Sequence, residues 1–293
     1  MKVAVYGKSF SDSFLGEIQT LFTELKNMKW QVVVYEPFIS YLKPRIELPE
    51  DIKAFSTDDT QALNGVDLFF SIGGDGTFLD TITFACKFDI PVLGINTGRL
   101  GFLSNVAKEE LSLALNALQA GRYRIEERTL LEVNTKDHLF GDSNFALNEL
   151  TLHKKDTASM ITIHTYVNDY YLNSYWADGI IVATPTGSTA YSLSCGGPIL
   201  SPQSRNFIIT PIAPHNLNVR PVVVPDDVKI KLKVEGRSEH FLVSLDSRSE
   251  TIISGQSIEI QSKKRQARMI QLEHQNFFST IRNKMMWGID KRN

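Results

Sequence analysis

The stretch FFSIGGDGTFLD, Phe69–Asp80, decides how this chain is read. An apolar run stops at two glycines, one carboxylate and a third glycine follow, and the pattern then turns helical. A strand that ends in Gly-Gly and re-emerges as a helix lets backbone N–H groups converge on an anion, because glycine lacks a Cβ and tolerates positive φ. The helix expected from about Thr77 to Phe88 adds its unpaired first amides and the positive end of its dipole. Gly73, Gly74, Gly76 and Thr77 are therefore candidate phosphate contacts. Asp75 is out of place in such a loop, because beside bound phosphate it repels unless it accepts a proton or works with a metal. A plain tight turn is the bland alternative, and the carboxylate weighs against it.

Outward from this loop the first 120 residues alternate strands and helices. Val3–Tyr6, Trp30–Tyr35, Val66–Ile72 and Pro91–Asn96 read as buried strands. Leu15, Ile18, Leu21, Phe22 and Leu25 recur at helical spacing, with Asp12 or Ser13 as candidate N-caps, and a further helix is expected at about Lys108–Leu118. Strands that are apolar throughout and separated by helices predict a parallel sheet covered on both faces. After Gly121 the pattern is mostly strand, and Asn168-Asp169 is placed to turn a hairpin. Helical periodicity returns at Asn276–Trp287, with Phe277, Phe278, Ile281 and Met285 on one side. The expected class is α+β in two domains: a Rossmann-like parallel domain spans 1–120, a mostly antiparallel β domain spans 121–265, and a closing helix lies within 266–293.

Composition narrows the function classes. The 293 residues are 42% hydrophobic and 22% charged, enough for a sizeable core, and the formal charge of −2 exerts no general pull on nucleic acid or anionic membrane. Cys86 and Cys195 lie far apart, which argues against a disulfide framework, and the six histidines (138, 153, 164, 215, 240 and 274) lack metal-ligand spacing. The short, polar start and the lack of a long apolar run point to a cytoplasmic protein with no nucleic-acid or membrane partner. The basic run Ser262–Arg268 reads as a solvated strand connection.

Three look-alikes are set aside. Gly7-Lys8-Ser9 ends like a Walker A loop, but Lys2 stands where the first glycine belongs. Gly94, Gly98 and Gly101 miss the spacing of a dinucleotide fingerprint, and no Gly-x-Ser-x-Gly elbow is present. Two further stretches carry chemistry. In Ala177–Leu200, ADGIIVATPTGSTAYSLSCGGPIL, a strand breaks at Pro185 and Gly187, and Ser188 or Thr189 is expected to cap a short helix over Ala190–Ser194. Hydroxyls and amides at a helix start beside Tyr191 suit a nucleoside, although a plain capped turn explains the same residues. In Leu147–Leu150, LNEL, adjacent Asn148 and Glu149 interrupt an apolar strand. Either a bulge turns both into a polar pocket or one is a solvated surface residue.

Taken together, GGDGT, the Asn-Glu pair some seventy residues on and DGIIVATPTGSTAYSLS with GGPI resemble the NAD kinase family. GINTGRLGFL (Gly94–Leu103) and TPIAPHNLNVRPVVVP (Thr210–Pro225) add to that resemblance, which runs from about Val3 to Trp287. It implies transfer of the γ-phosphoryl of ATP, or of polyphosphate in some members, to the 2′-hydroxyl of the adenosine ribose of NAD, giving NADP. It also implies that the closing helix within 266–293 packs back on the first domain, a divalent cation such as Mg²⁺, and a homo-oligomer, dimer or tetramer, whose pocket can include a neighbouring subunit. By position, Asp75 matches the proton acceptor, with Gly76 in the phosphate loop. Asn148 and Glu149 match contacts to the substrate nucleoside, and Asp178 a carboxylate near the nicotinamide end. Thr189, Ala190, Tyr191, Ser192, Leu193 and Ser194 match the helix start lining that pocket, and Ala213 an adenine-side contact. No metal ligand is carried over. Trp176 stands where some members have arginine and Arg248 where some have glutamine, and both positions bear on the choice between oxidised and reduced dinucleotide.

Two rivals remain in view. A GGDGT-type lipid or sphingoid-base kinase shares the phosphate loop but leaves TPTGSTAYSLS without a purpose. A non-catalytic NAD(P)-binding regulator would have no need of Asp75.

Overall fold

The computed structural model describes residues 1–98, 101–155, 159–273 and 275–286. The chain divides into two compact units, residues 1–127 with those from 267 onward, and Arg128–Gln266. In the first unit, strands Lys2–Gly7 (β1), Gln31–Tyr35 (β2), Lys53–Phe55 (β3), Leu68–Ile72 (β4), Val92–Ile95 (β5) and Tyr123–Arg128 (β6) alternate with four helices. The helices are Leu15–Asn27 (α1), Glu36–Leu42 (α2), Asp75–Phe88 (α3) and Leu111–Gln119 (α4).

The second unit holds Leu131–Thr135 (β7), Phe145–Ala146 (β8), Glu149–Lys154 (β9), Ile161–Val167 (β10), Tyr170–Ala177 (β11) and Gly179–Ala183 (β12). The short helix Tyr191–Ser194 (α5) comes next. Asn206–Ile212 (β13), Val222–Pro225 (β14), Ile230–Glu235 (β15), His240–Leu245 (β16), Arg248–Ile253 (β17) and Ser257–Ser262 (β18) complete it. The chain then returns to the first unit as Ala267–Leu272 (β19) and the helix Phe277–Met285 (α6).

The first unit is built on a seven-stranded sheet in the order β3-β2-β1-β4-β5-β19-β6. Strands β3 through β19 in that order pair in parallel, with Ala4 of β1 between Val33 and Phe69. One face carries Val3, Val5, Val34, Phe70 and Leu93 against Ile18, Leu21 and Leu25 of α1 and Leu111, Leu115 and Leu118 of α4. On the other, Phe84 of α3 packs with Tyr6, Tyr35 and Phe55. Burial on both faces is why these strands read as unbroken apolar runs. The order reverses at β1, which lies between β2 and β4, so the loops after β1 and β4 diverge at the carboxyl edge where such sheets bind ligands.

The second unit stacks two antiparallel six-stranded sheets, β11-β10-β15-β18-β7-β8 and β14-β13-β12-β9-β16-β17. Ile161, Ile163, Leu232 and Ile260 from one sheet meet Leu150, Ile180, Val182, Phe207 and Phe241 from the other in a continuous core. The expected hairpin at Asn168-Asp169 is present, with φ of 49° and 65° as a two-residue primed turn requires.

Several local expectations need correction. Asp12 and Ser13 do not cap α1. They sit inside a 3-10 turn, Asp12–Phe14, that leads into it. Helix α3 begins at Asp75 rather than near Thr77, so Asp75 and Gly76 belong to its first turn. Neither Ser188 nor Thr189 caps α5. A 3-10 turn over Thr186–Thr189 precedes it, where Ser188 Oγ donates to the Pro185 carbonyl and Thr189 Oγ1 to that of Thr186. Among the residues of helix α6 only Ile281 is buried, while Phe278 is exposed. Arg99 and Leu100 of GINTGRLGFL, His274 and Trp287 lie outside the described residues.

Candidate active site

The candidate residues form two clusters, one in each unit. In the first unit, β4 delivers the chain to Gly73, whose N–H donates to the Ile95 carbonyl at 2.9 Å. Gly73 has φ of 149°, and a Cβ there would strike the Thr77 side chain, so glycine is required at this bend. Gly74 is the N-cap of α3, and a Cβ at Gly74 or Gly76 would meet open space. The first turn of a 14-residue helix therefore presents unpaired amides at a surface left bare by three glycines.

Asp75 opens α3 and faces the loop that follows β5. Its Oδ2 accepts the Phe102 N–H at 2.8 Å, and its Oδ1 accepts those of Leu103 and Ser104, each at 3.0 Å. Three backbone amides thus fix the orientation of this carboxylate. Lys284 of α6 lies 5.2 Å above the Phe102 ring. Burial pulls the Lys284 ammonium down, and the nearby Asp75 opposes that. Asp80, one turn further along α3, pairs with Lys8 from the loop after β1 at 2.6 Å.

In the second unit, β9 and β12 lie side by side with Glu149 opposite Ala183. Asn148 precedes β9, so the Asn-Glu pair is not two positions of one strand. The chain bends at Leu147 and Asn148 between β8 and β9, and Glu149 is the first residue of β9. The Glu149 carboxyl accepts the Tyr191 N–H at the start of α5. Its Oε2 is buried without a hydrogen-bond partner among the described residues. Burial, reinforced by the Asp246 carboxylate, pushes Glu149 up to about 8, against the Tyr191 N–H. Gly187 backs onto Asn148 so closely that a Cβ would overlap the Asn148 carbonyl.

Helix α5 lies over β12. Ser192 is fully buried and shares a 2.9 Å hydrogen bond with Thr210 of β13, which anchors the helix, and Tyr191 is exposed at 42%. The Tyr191 hydroxyl is pushed up by burial, then by Cys195 and, further off, Asp178. Thr189, Ala190, Leu193 and Ser194 complete the turn. At the other end of β12, Asp178 pairs with Lys154 at 2.5 Å, and its N–H donates to the Ile212 carbonyl at 3.0 Å. Ala213 follows directly, with φ of 43°. Asn148, Glu149, Tyr191, Asp178 and Ala213 thus collect around one strand. Arg248 points elsewhere: its guanidinium donates to the Ser143 and Phe145 carbonyls and lies 5.6 Å from the centre of the Phe145 ring.

Sequence reasoning missed Asp246, Thr184 and the amides of Phe102–Ser104. Their partners are too distant in sequence to leave a local mark.

Comparison with known proteins covers both units. Residues 13–123 match the model of the ATP-NAD kinase N-terminal domain and residues 147–272 that of the ATP-NAD kinase C-terminal domain. The chain is 47% identical over 294 residues to an NAD kinase of Cytophaga hutchinsonii, with 100% of both chains covered. It is 42% identical over 292 residues to one from Bacteroides fragilis, again over 100% of each. Among solved structures, a yeast NADH kinase complexed with NADH superposes with a TM-score of 0.86 at 25% identity, covering 99% of this chain and 89% of that one. An Archaeoglobus fulgidus NAD kinase in complex with ATP gives 0.72 at 26% identity, covering 96% and 99%.

Proposed function

The chain belongs to the NAD kinase family, and we propose that within it Asp75 and the Asn148–Glu149 pair carry the family's reaction. The enzyme transfers the γ-phosphoryl of ATP to the 2′-hydroxyl of the adenosine ribose of NAD. A bond forms between the ribose oxygen and Pγ, the bond from Pγ to the β,γ-bridging oxygen breaks, and ADP leaves. The ribose proton goes to a base, for which Asp75 is the candidate. Set on the first turn of α3 and oriented by three backbone amides, it is placed for that task. The Gly74 and Gly76 surface at the α3 N-terminus takes the donor phosphates, because phosphoryl transfer depends chiefly on alignment and charge neutralisation.

Among the described residues no group of three or more His, Cys, Asp or Glu could hold a metal. A divalent cation carried by the ATP substrate would neutralise charge on the donor phosphates. The observation that carries the nucleoside assignment is the buried Glu149 carboxyl, unsatisfied on Oε2 and set against the Tyr191 N–H. Such an orphan group suits a ribose hydroxyl. Asn148, Tyr191, Asp178 and Ala213 extend the same surface, and Arg248 reaches it only by leaving its carbonyl partners.

A cytoplasmic homo-oligomer is the setting this reading favours. Among the described residues no helix is long and apolar enough to cross a membrane. The test is purified protein with ATP, Mg²⁺ and NAD, following NADP. NADP formation supports the reading. Inertness toward NAD with phosphorylation of a lipid or sphingoid base overturns it, and NAD binding without turnover turns it into the regulator.

A further inference from the structure

The backbone of Leu147–Glu149 is held in an unusual way. Its three consecutive N–H groups converge on one carboxylate: Leu147 donates to Asp246 Oδ2 at 2.8 Å, Asn148 to Oδ1 at 2.9 Å and Glu149 to Oδ1 at 3.1 Å. The three carbonyls are taken from the other side. Thr184 Oγ1 donates to the Leu147 carbonyl at 2.5 Å, the Thr184 N–H to that of Asn148 at 2.8 Å, and the Asp246 N–H to that of Glu149 at 3.1 Å. Two residues, Asp246 and Thr184, therefore satisfy all six main-chain polar groups of the segment.

We infer that Asp246 and Thr184 are positioning residues for the substrate nucleoside, clamping the Leu147–Glu149 backbone so that the side chains of Asn148 and Glu149 are fixed in place yet left for the ligand. This inference rests on the assignment of that pair to the ribose.

Three features make the clamp specific to placement. Asp246 sits at φ of 52°, a conformation Asp and Asn adopt more readily than most residues, so its carboxylate is aimed by the turn between β16 and β17. Successive amides that converge on an anion form a concave site around it, and here the anion is the protein's own Asp246 carboxylate. The Thr184 hydroxyl is itself oriented by the Gly187 N–H at 3.2 Å, and Gly187 packs on Asn148, so the TPTGSTAYSLS turn and the Leu147-Asn148 bend share one unit of geometry. Sub-ångström misplacement of a positioning group is costly in catalysis, which gives the clamp a functional consequence beyond stability.

The test compares Asp246→Asn, Thr184→Val and Thr184→Ser with the unmodified enzyme. Asp246→Asn keeps the left-handed turn but sets an amide against three N–H donors. Thr184→Val keeps the shape and removes the hydroxyl, and Thr184→Ser restores it. Hydrogen exchange of the Leu147–Glu149 amides in the ligand-free protein is expected to quicken in the Asn and Val variants. Their KM for NAD should rise roughly tenfold while KM for ATP stays within about twofold, and Thr184→Ser should return both readouts close to the starting values. Unchanged exchange, an equal rise in both KM values, or a Ser variant no better than Val overturns the inference. If Asp246→Asn does not fold, the Thr184 pair decides alone. If the unmodified enzyme makes no NADP, the functional reading fails, and the exchange data still judge the clamp.

Discussion

Gly101 lies directly against the carboxylate of Asp75: a Cβ built at position 101 would overlap Oδ1. The same carboxylate accepts the amides of Phe102, Leu103 and Ser104. The segment Gly101–Ser104 is thereby explained as a mould for Asp75, because only a residue without a side chain at 101 lets the backbone close on it. Gly101→Ala must push the loop or the carboxylate aside. Because misplacing a catalytic group by about 1 Å costs roughly 10²-fold, kcat is expected to fall by that order with KM for NAD within about threefold. Undiminished kcat in the Gly101→Ala enzyme would show that the contact does not hold the base.

Asp75→Asn removes both the proton acceptor and the negative charge that gathers the three amides. Turnover is expected to drop by ~10²–10⁴, the usual worth of general-base help. NAD binding, measured by calorimetry, should persist, since the nucleoside residues belong to the other unit. Near-normal turnover in the Asn variant would remove Asp75 from the chemistry.

Glu149 makes a pH prediction with a definite sign. Burial and the Asp246 carboxylate raise its folded pKa from 4.5 to about 8, so between those values the folded protein holds a proton that the unfolded chain has released. That contribution is fully present below about pH 4.5 and is lost as pH rises through 8. The charged or titratable neighbours are Asp246, Arg248 beyond it, and Cys195, whose thiol is raised by burial and by Glu149. Glu149→Gln cannot titrate. Its Tm relative to the unmodified protein is expected to climb steadily between pH 5 and pH 8.5. A pH-independent Tm difference would place the Glu149 pKa near its ordinary value.

How much of this was legible beforehand depends on the range of each interaction. The strand, glycine bend and helix start of Phe69–Asp80 could be read because they are local features, and the hairpin at Asn168-Asp169 announces itself in two residues. The helix caps misled because Asp12, Ser13, Ser188 and Thr189 are sound cap residues whose backbones were drawn into 3-10 turns. Asp246 stayed hidden because its amide partners lie 97 to 99 residues away and an aspartate in a β-turn looks ordinary. For Asn148 and Glu149 the structure shows a bend at Leu147 and Asn148 leading into Glu149 at the start of β9, with the amides of all three drawn onto the distant Asp246 carboxylate.

Trp176 bears on the choice between oxidised and reduced dinucleotide. Its indole is 51% exposed and packs against the His215 ring at a 44° tilt with centroids 4.3 Å apart, and its carbonyl accepts the His215 backbone N–H at 2.9 Å, so the ring is held at the surface two residues before Asp178. If Asp178 marks the nicotinamide end, the ring of NAD⁺ arrives there carrying a positive charge that NADH lacks. An indole face attracts a cation by about 0.5–1 kcal/mol at an exposed site, while apolar contact serves both forms alike. Trp176→Ala should therefore lower kcat/KM for NAD⁺ about two- to fivefold more than for NADH. Steady-state rates with each dinucleotide at fixed ATP measure the ratio directly. An unchanged ratio would mean that the indole does not face the nicotinamide, and a fall for NADH alone would reverse the assignment of charge as the discriminating feature.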